Sequence, residues 1–306
     1  MAGPGSRAEF VRRPGTPADA VTVVPADRTK AAHAAALAGV ECARRAGLPS
    51  CGGEVRLDGD VPVGLGMGSS TSDVIATVRA VADSYGLRLA PDTVARLAVR
   101  AERASDPLML DARPVLFAQR EGRILEVLGP ALPPLVVVGC TLGGGAPVDT
   151  LALPVQEVSD ADLRDFERLR TLLRRATETG DARLLGKVAT ASARRGQRSL
   201  NHPEFADLIT VARRCGAAGV QIAHSGAVAG VLFDPAAPGD LRRRVRGCRH
   251  ALRAHGIPTT RTFTTFTGRT TLAPTSKELL DGPAHRRGDR QARPDTPRRT
   301  ARLPAL

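Results

Sequence analysis

Apolar residues recur at helical spacing over much of the chain. From about Ser72 to Ser84, Val74, Ile75, Val78 and Val81 share one face and Gly86 follows as a stop, which predicts a helix. A second is predicted over residues 91–106, with Pro91 in its first turn and Val94, Leu97, Ala98 and Ala101 on one side. Residues 30–45 predict another, with Leu37, Val40 and several alanines on its apolar face and Gly47 and Pro49 ending it. Further helical patterns cover 160–180, 181–195 and 203–216, and a basic one covers 238–256.

Between these lie period-two or fully apolar runs. GGEVRLDGDVPV, at 52–63, alternates as a half-buried strand does, and 134-PLVVVGC-140 reads as a buried one. Residues 113–129 predict a hairpin turning at Glu121-Gly122. The stretch 219-GVQIAHSGAVAGVLFD-234 predicts two short strands around a His-Ser-Gly turn, and 258–272 a terminal strand. Residues 1–20 and 274–306 carry Gly, Pro and Arg without periodicity and are expected to be disordered.

Composition narrows the class. With 306 residues, 42% hydrophobic and 25% charged, the chain can build a sizeable core, which must be aliphatic because aromatics are 3% and tryptophan is absent. The net charge is +13, yet only three of the 44 basic residues are lysine (Lys30, Lys187, Lys277). That arginine bias fits a GC-rich coding sequence. Between Gly282 and Leu306 seven arginines face two aspartates, so part of the excess sits in the tail. Without aromatic platforms or a recognisable motif, a specific nucleic-acid partner is not expected. Cys42, Cys51, Cys140, Cys215 and Cys248 are odd in number, widely spaced and free of CxxC pairs, as buried thiols in a reducing compartment would be. No apolar run is long enough to span a bilayer and no signal-peptide pattern opens the chain, so a cytoplasmic protein without a membrane partner is expected.

The chemistry concentrates in 60-DVPVGLGMGSSTSDV-74, where a strand runs through glycines into a helix start crowded with hydroxyls. Glycines let backbone N–H groups converge, and first-turn amides with the helix dipole favour phosphate; hydroxyls there cap the helix or bind phosphate and its Mg²⁺. The loop is neither a Walker A sequence nor a GxGxxG fingerprint. On glycines and serines alone, a simple helix cap and a phosphate site are equally good readings.

The order of residues resembles something narrower, the ATP-binding motif of the GHMP kinases (galactokinase, homoserine, mevalonate and phosphomevalonate kinases), usually Pro-x-x-x-Gly-Leu-Gly-Ser-Ser-Ala. Pro62, Gly66, Met67, Gly68, Ser69 and Ser70 match it. Methionine in the leucine place, then Ser-Ser-Thr and an acidic residue, is similar to the L-threonine kinase branch associated with cobalamin synthesis and propanediol utilisation. Residues 223-AHSGAVAGVLFD-234 resemble the family's second glycine loop and 101-AERASDPLMLD-111 its segment with a magnesium-binding glutamate. The resemblance runs over roughly residues 25–270.

It implies an ATP- and Mg²⁺-dependent kinase that transfers the γ-phosphoryl group to a small alcohol, L-threonine first among them. Pro62, Gly64, Gly66, Met67, Gly68, Ser69, Ser70 and Thr71, with Ser225 and Gly226, would contact the nucleotide. Ser70 and Glu102 would hold Mg²⁺, and Asp106 would act as base, with Asp111 its competitor. Read without the resemblance, Glu102 between two arginines is a solvated surface charge and Asp106 before Pro107 a turn residue.

The implied fold is α/β (α+β) in two domains: a mixed α/β domain over 21–155 with the phosphate loop, and a ferredoxin-like α+β domain over 156–273. Segment 4-PGSRAEFVRR-13 keeps Pro4, Gly5 and Ser6 of a family pocket segment and then runs almost directly to the first helix. Roughly 40–50 residues of the family's N-terminal sheet are therefore expected to be missing. A catalytically impaired nucleotide-binding relative, and a kinase for another alcohol such as homoserine, are the alternatives. A homodimer is one assembly the resemblance allows.

Overall fold

The computed structural model describes residues 5–59, 68–110, 113–145, 157–223 and 227–265. The first sheet has three strands in the order β1-β3-β2: Ser6–Arg12 (β1), Val21–Val24 (β2) and Gly53–Gly59 (β3). β1 runs antiparallel to β3, Phe10 opposite Val55, and β2 runs parallel to it. The parallel pairing demands a crossover, supplied by helix α1 (Thr29–Ala46) between β2 and β3. Helices α2 (Ser69–Ser84) and α3 (Pro91–Glu102) complete this half.

Its core follows the patterned positions. Val74, Ile75, Val78 and Val81 of α2 pack with Val94, Leu97 and Ala98 of α3 and with Ala34, Ala35, Ala38 and Cys42 of α1. On α1 the alanines do the packing, which brings the helices close, while Val40 is 53% exposed rather than on the apolar face. A two-stranded ribbon, β4 (Val115–Ala118) and β5 (Arg123–Val127), turns through Gly122 at φ 69°, as expected of that glycine.

The second sheet has the order β7-β8-β6-β9 and is antiparallel throughout. Strand β6 (Val136–Thr141), buried along its whole length, lies between β8 (Val228–Phe233) and β9 (Thr259–Thr264), with β7 (Gly219–Ile222) at the edge. Helices α4 (Asp160–Thr179), α5 (Ala182–Leu200) and α6 (Phe205–Arg214) connect β6 to β7, and α7 (Leu241–Ala254) connects β8 to β9. That is the split β-α-β-β-α-β arrangement expected of a ferredoxin-like half. α4 opens with a capping box between Ser159 and Asp162, and α5 with Asp181 accepting from the Leu184 amide. α5 meets β7 through glycines: a Cβ on Gly219 would fall 2.0 Å from the Gly186 carbonyl oxygen.

Two expectations are corrected. Residues 5–20 are not a disordered lead-in, because residues 6–12 form β1 and Phe10 is buried in the core. Its partner lies more than 40 residues away, so the strand is stabilised by a pairing that local pattern does not reveal. Nor does the second half begin at 156, since β6 belongs to its sheet. All five cysteines are free; Cys215 is half-buried and the other four are buried. The tail at 274–306 lies outside the described residues.

Candidate active site

α2 is preceded by Gly68, whose φ of 73° is left-handed, a conformation that glycine adopts without the strain a Cβ would bring. A Cβ at this point would lie 3.2 Å from Asp106 Oδ2 and 3.3 Å from Leu108 Cδ1. The Asp106 carboxylate is thus held against the glycine at the helix entrance. No side chain among the described residues caps α2, which leaves its first-turn amides and dipole available to an anion.

Glu102, the last residue of α3, is buried at 6% exposure, so the surface-charge reading fails. Ser70 donates its hydroxyl to Glu102 Oε2 at 3.0 Å and Thr71 to Oε1 at 2.8 Å. Burial pushes the Glu102 carboxyl above its usual value, while hydrogen bonds from Thr71, Ser70 and Ser105 and the charge of Lys30 work in the opposite direction. α3 stops there because Arg103 adopts a left-handed φ of 69°, its amide bonding back to Val99 O at 2.7 Å. The chain then turns through Ser105, whose amide donates to Gln119 O at 2.9 Å, and delivers Asp106 to the start of α2.

Thr71 follows in the first turn of α2. Its side chain is buried, bonds Glu102, and faces the Asp106 amide at 3.4 Å, so it orients the two acidic residues instead of facing the cleft. Ser70 is half-buried, whereas Ser69 is only 6% exposed. With Asp27, Arg28, Thr29, Lys30, Ala31 and Asp73 they line a cleft of about 270 Å³. Pro62, Gly64, Gly66 and Met67, Ser225 and Gly226, and Asp111 lie outside the described residues.

The donor set suits Mg²⁺. A hydroxyl and a buried carboxylate that makes no ion pair among the described residues are hard oxygen ligands, and Mg²⁺ commonly takes one or two protein oxygens, completing its shell with phosphate and water. Among the described residues no cluster of three or more His, Cys, Asp or Glu competes as a metal site. Also among them, no helix is long and apolar enough to cross a membrane.

Sequence reasoning used Asp73 only as a marker of the motif, without a role, and missed Arg28. Asp73 is 8% exposed; it accepts the Ser6 hydroxyl at 2.5 Å and faces Arg28 Nη1 at 3.5 Å, while the Ser6 amide donates to Ser72 Oγ at 3.1 Å. The signal present was a carboxylate in the second turn of an apolar helix face, where burial requires a partner.

A family model described as the GHMP kinases N terminal domain matches residues 31–117, and one described as GHMP kinases C terminal matches 169–249, together more than half of the chain. An L-threonine kinase of Salmonella typhimurium is 30% identical over 183 residues, 59% of this chain and 60% of that protein. One of Citrobacter freundii is 28% identical over 184 residues, 59% of this chain and 63% of that protein. The chain therefore matches less than two thirds of the length of either relative. Among solved structures, homoserine kinase from Cytophaga hutchinsonii superposes with a TM-score of 0.62 at 16% identity, covering 87% of each chain.

Proposed function

Since this chain belongs to the GHMP kinase family and has its two-domain fold, we propose that it transfers the γ-phosphoryl group of ATP to the hydroxyl of a small amino acid, L-threonine. The observation that carries the reading is the Ser70–Glu102 contact at the uncapped start of α2, with the Asp106 carboxylate beside Gly68. The product would be O-phospho-L-threonine. The family resemblance associates such a product with cobalamin side-chain synthesis.

In this reading the amides that follow Gly68 cradle the nucleotide phosphates, where the helix dipole favours negative charge. Ser70 and Glu102 are the residues that would hold Mg²⁺, which when bound neutralises phosphate charge. Thr71 fixes the Glu102 carboxylate by its hydrogen bond. Asp106 orients the acceptor hydroxyl and takes its proton as the alcohol oxygen bonds to the γ-phosphorus. The bond from that phosphorus to the bridging oxygen breaks, and ADP carries the electron pair away. Positioning and charge neutralisation supply most of the acceleration in such transfers.

The test is an ADP-release screen with Mg²⁺ over L-threonine, L-serine, L-homoserine and related alcohols. Release that depends on L-threonine and disappears in Ser70→Ala and Glu102→Ala is expected. A preference for homoserine would keep the chemistry and replace the acceptor. Tight ATP binding with no release for any alcohol would overturn the catalytic reading.

A further inference from the structure

The cleft beside Ser69 and Ser70 is closed on its far side by the start of α1, a segment that the phosphate-loop motif does not include. Arg28 stands at that start, its side chain one quarter exposed. Its Nη1 lies 3.5 Å from Asp73 Oδ2 and its Nε 3.8 Å from Asp27 Oδ1. Asp73 is itself fixed on its other oxygen by the Ser6 hydroxyl at 2.5 Å. One buried carboxylate on α2 thereby ties together the beginning of β1, the loop before α1 and the phosphate helix.

A purely structural ion pair would turn the guanidinium fully onto its carboxylate. Here the nearest approach, 3.5 Å, is longer than in a bidentate fork, and Arg28 lines the cleft together with Lys30, Ser69 and Ser70 at the uncapped start of α2. Asp73 and Asp27 offset part of the positive charge, and the buried Glu102 accepts from Ser70.

We propose that Arg28 is a second nucleotide-phosphate ligand, held at the cleft by Asp73 as its positioning residue. The ligand chemistry is a nucleoside polyphosphate bridging the start of α2 and the start of α1. This rests on the kinase reading above and extends it to residues outside the glycine-loop motif. Arg28 suits the task because a planar fork can hold one carboxylate and one phosphate oxygen at once, which the point charge of a lysine does less well.

Binding of ATP, ADP and adenosine is measured by calorimetry on the full chain and on Arg28→Ala, Arg28→Lys and Asp73→Asn. Loss of one charge-assisted hydrogen bond predicts ATP affinity lower by about tenfold or more in Arg28→Ala, with adenosine affinity unchanged. Arg28→Lys recovers part of the loss. Asp73→Asn weakens ATP by a smaller factor, and the double variant is no worse than Arg28→Ala alone, as expected if Asp73 acts through Arg28. An Arg28→Ala protein with a wild-type ratio of ATP to adenosine affinity overturns the proposal and leaves the kinase reading standing. A wild-type chain that binds neither ATP nor ADP overturns both. Should Asp73→Asn fail to fold, the two Arg28 variants decide alone.

Discussion

Replacing Glu102 separates its structural role from its chemical one. Gln keeps the shape, and the Ser70 and Thr71 hydroxyls can reorient to bond an amide. Each charge-assisted hydrogen bond that becomes neutral loses about 1 kcal/mol, while the cost of burying an ionised carboxylate, itself a few kcal/mol, disappears. Because burial raises the carboxyl in the folded state, ionising it near neutrality opposes folding, and Gln removes that opposition. The two effects nearly cancel, so Glu102→Gln should move the thermal midpoint by no more than about 3 °C. Glu102→Ala removes both acceptors and opens a void beneath Thr71, which predicts a loss of about 3–4 kcal/mol and a midpoint lower by about 10 °C. Both variants should lose about 10²–10³ in kcat, the scale for removing one group that stabilises transferring charge. Scanning calorimetry and coupled ADP release read the two quantities on the same samples. A Gln variant that melts like wild type and retains more than a tenth of its rate would refute the argument that the charge is needed.

Three further outcomes follow from the same geometry. Gly68→Ala forces a left-handed Cβ against Asp106 and Leu108; a stability loss of about 1–2 kcal/mol and a rate lower by tenfold or more are expected from melting and ADP release. Gly219→Ala places a Cβ 2.0 Å from the Gly186 carbonyl oxygen and 2.6 Å from Thr190 Oγ1, so α5 must leave β7, and denaturant titration should show a loss of about 3 kcal/mol or no folded protein. Glu126 is held at about 2 by hydrogen bonds from Arg174 and then Arg170, well below its ordinary value of 4.5. A depressed carboxyl adds stability above its unfolded pKa and loses it as pH falls towards 2, so the stability difference between wild type and Glu126→Gln should shrink from pH 6 to pH 2. A difference independent of pH would show that the carboxylate contributes nothing through its charge.

What the sequence made legible was local. Pro91 at a first turn, Gly47 and Gly86 after helix ends, and the valines of α2 each encode an element within a few residues of themselves, and helices stand at those places, although α3 ends at Glu102 and not at 106 because Arg103 turns left-handed. The helix after the glycine loop starts at Ser69 rather than near Ser72, because hydroxyl residues conceal a first turn that apolar spacing cannot mark. What stayed hidden was non-local. β1 depends on pairing with β3, and the place of β6 depends on β8 and β9, neither of which alters the spacing of residues within the strand itself. In the site, the motif named Ser70 and Glu102 one by one, whereas the clamp formed by Ser6, Asp73 and Arg28 joins three segments that share no pattern.

The position of β6 bears on how the chain acquires its shape during synthesis. Val136–Thr141 emerges from the ribosome long before Thr259–Thr264, yet each pairs along one side of the other, and the helices of the second half intervene. Closing so long a loop is entropically slow, so until β9 arrives the nascent second sheet keeps an apolar strand with one open edge. Chains released before residue 264 would present Val136, Val137 and Val138 to one another, a ready template for association between molecules, and translation through β9 is the event that removes it.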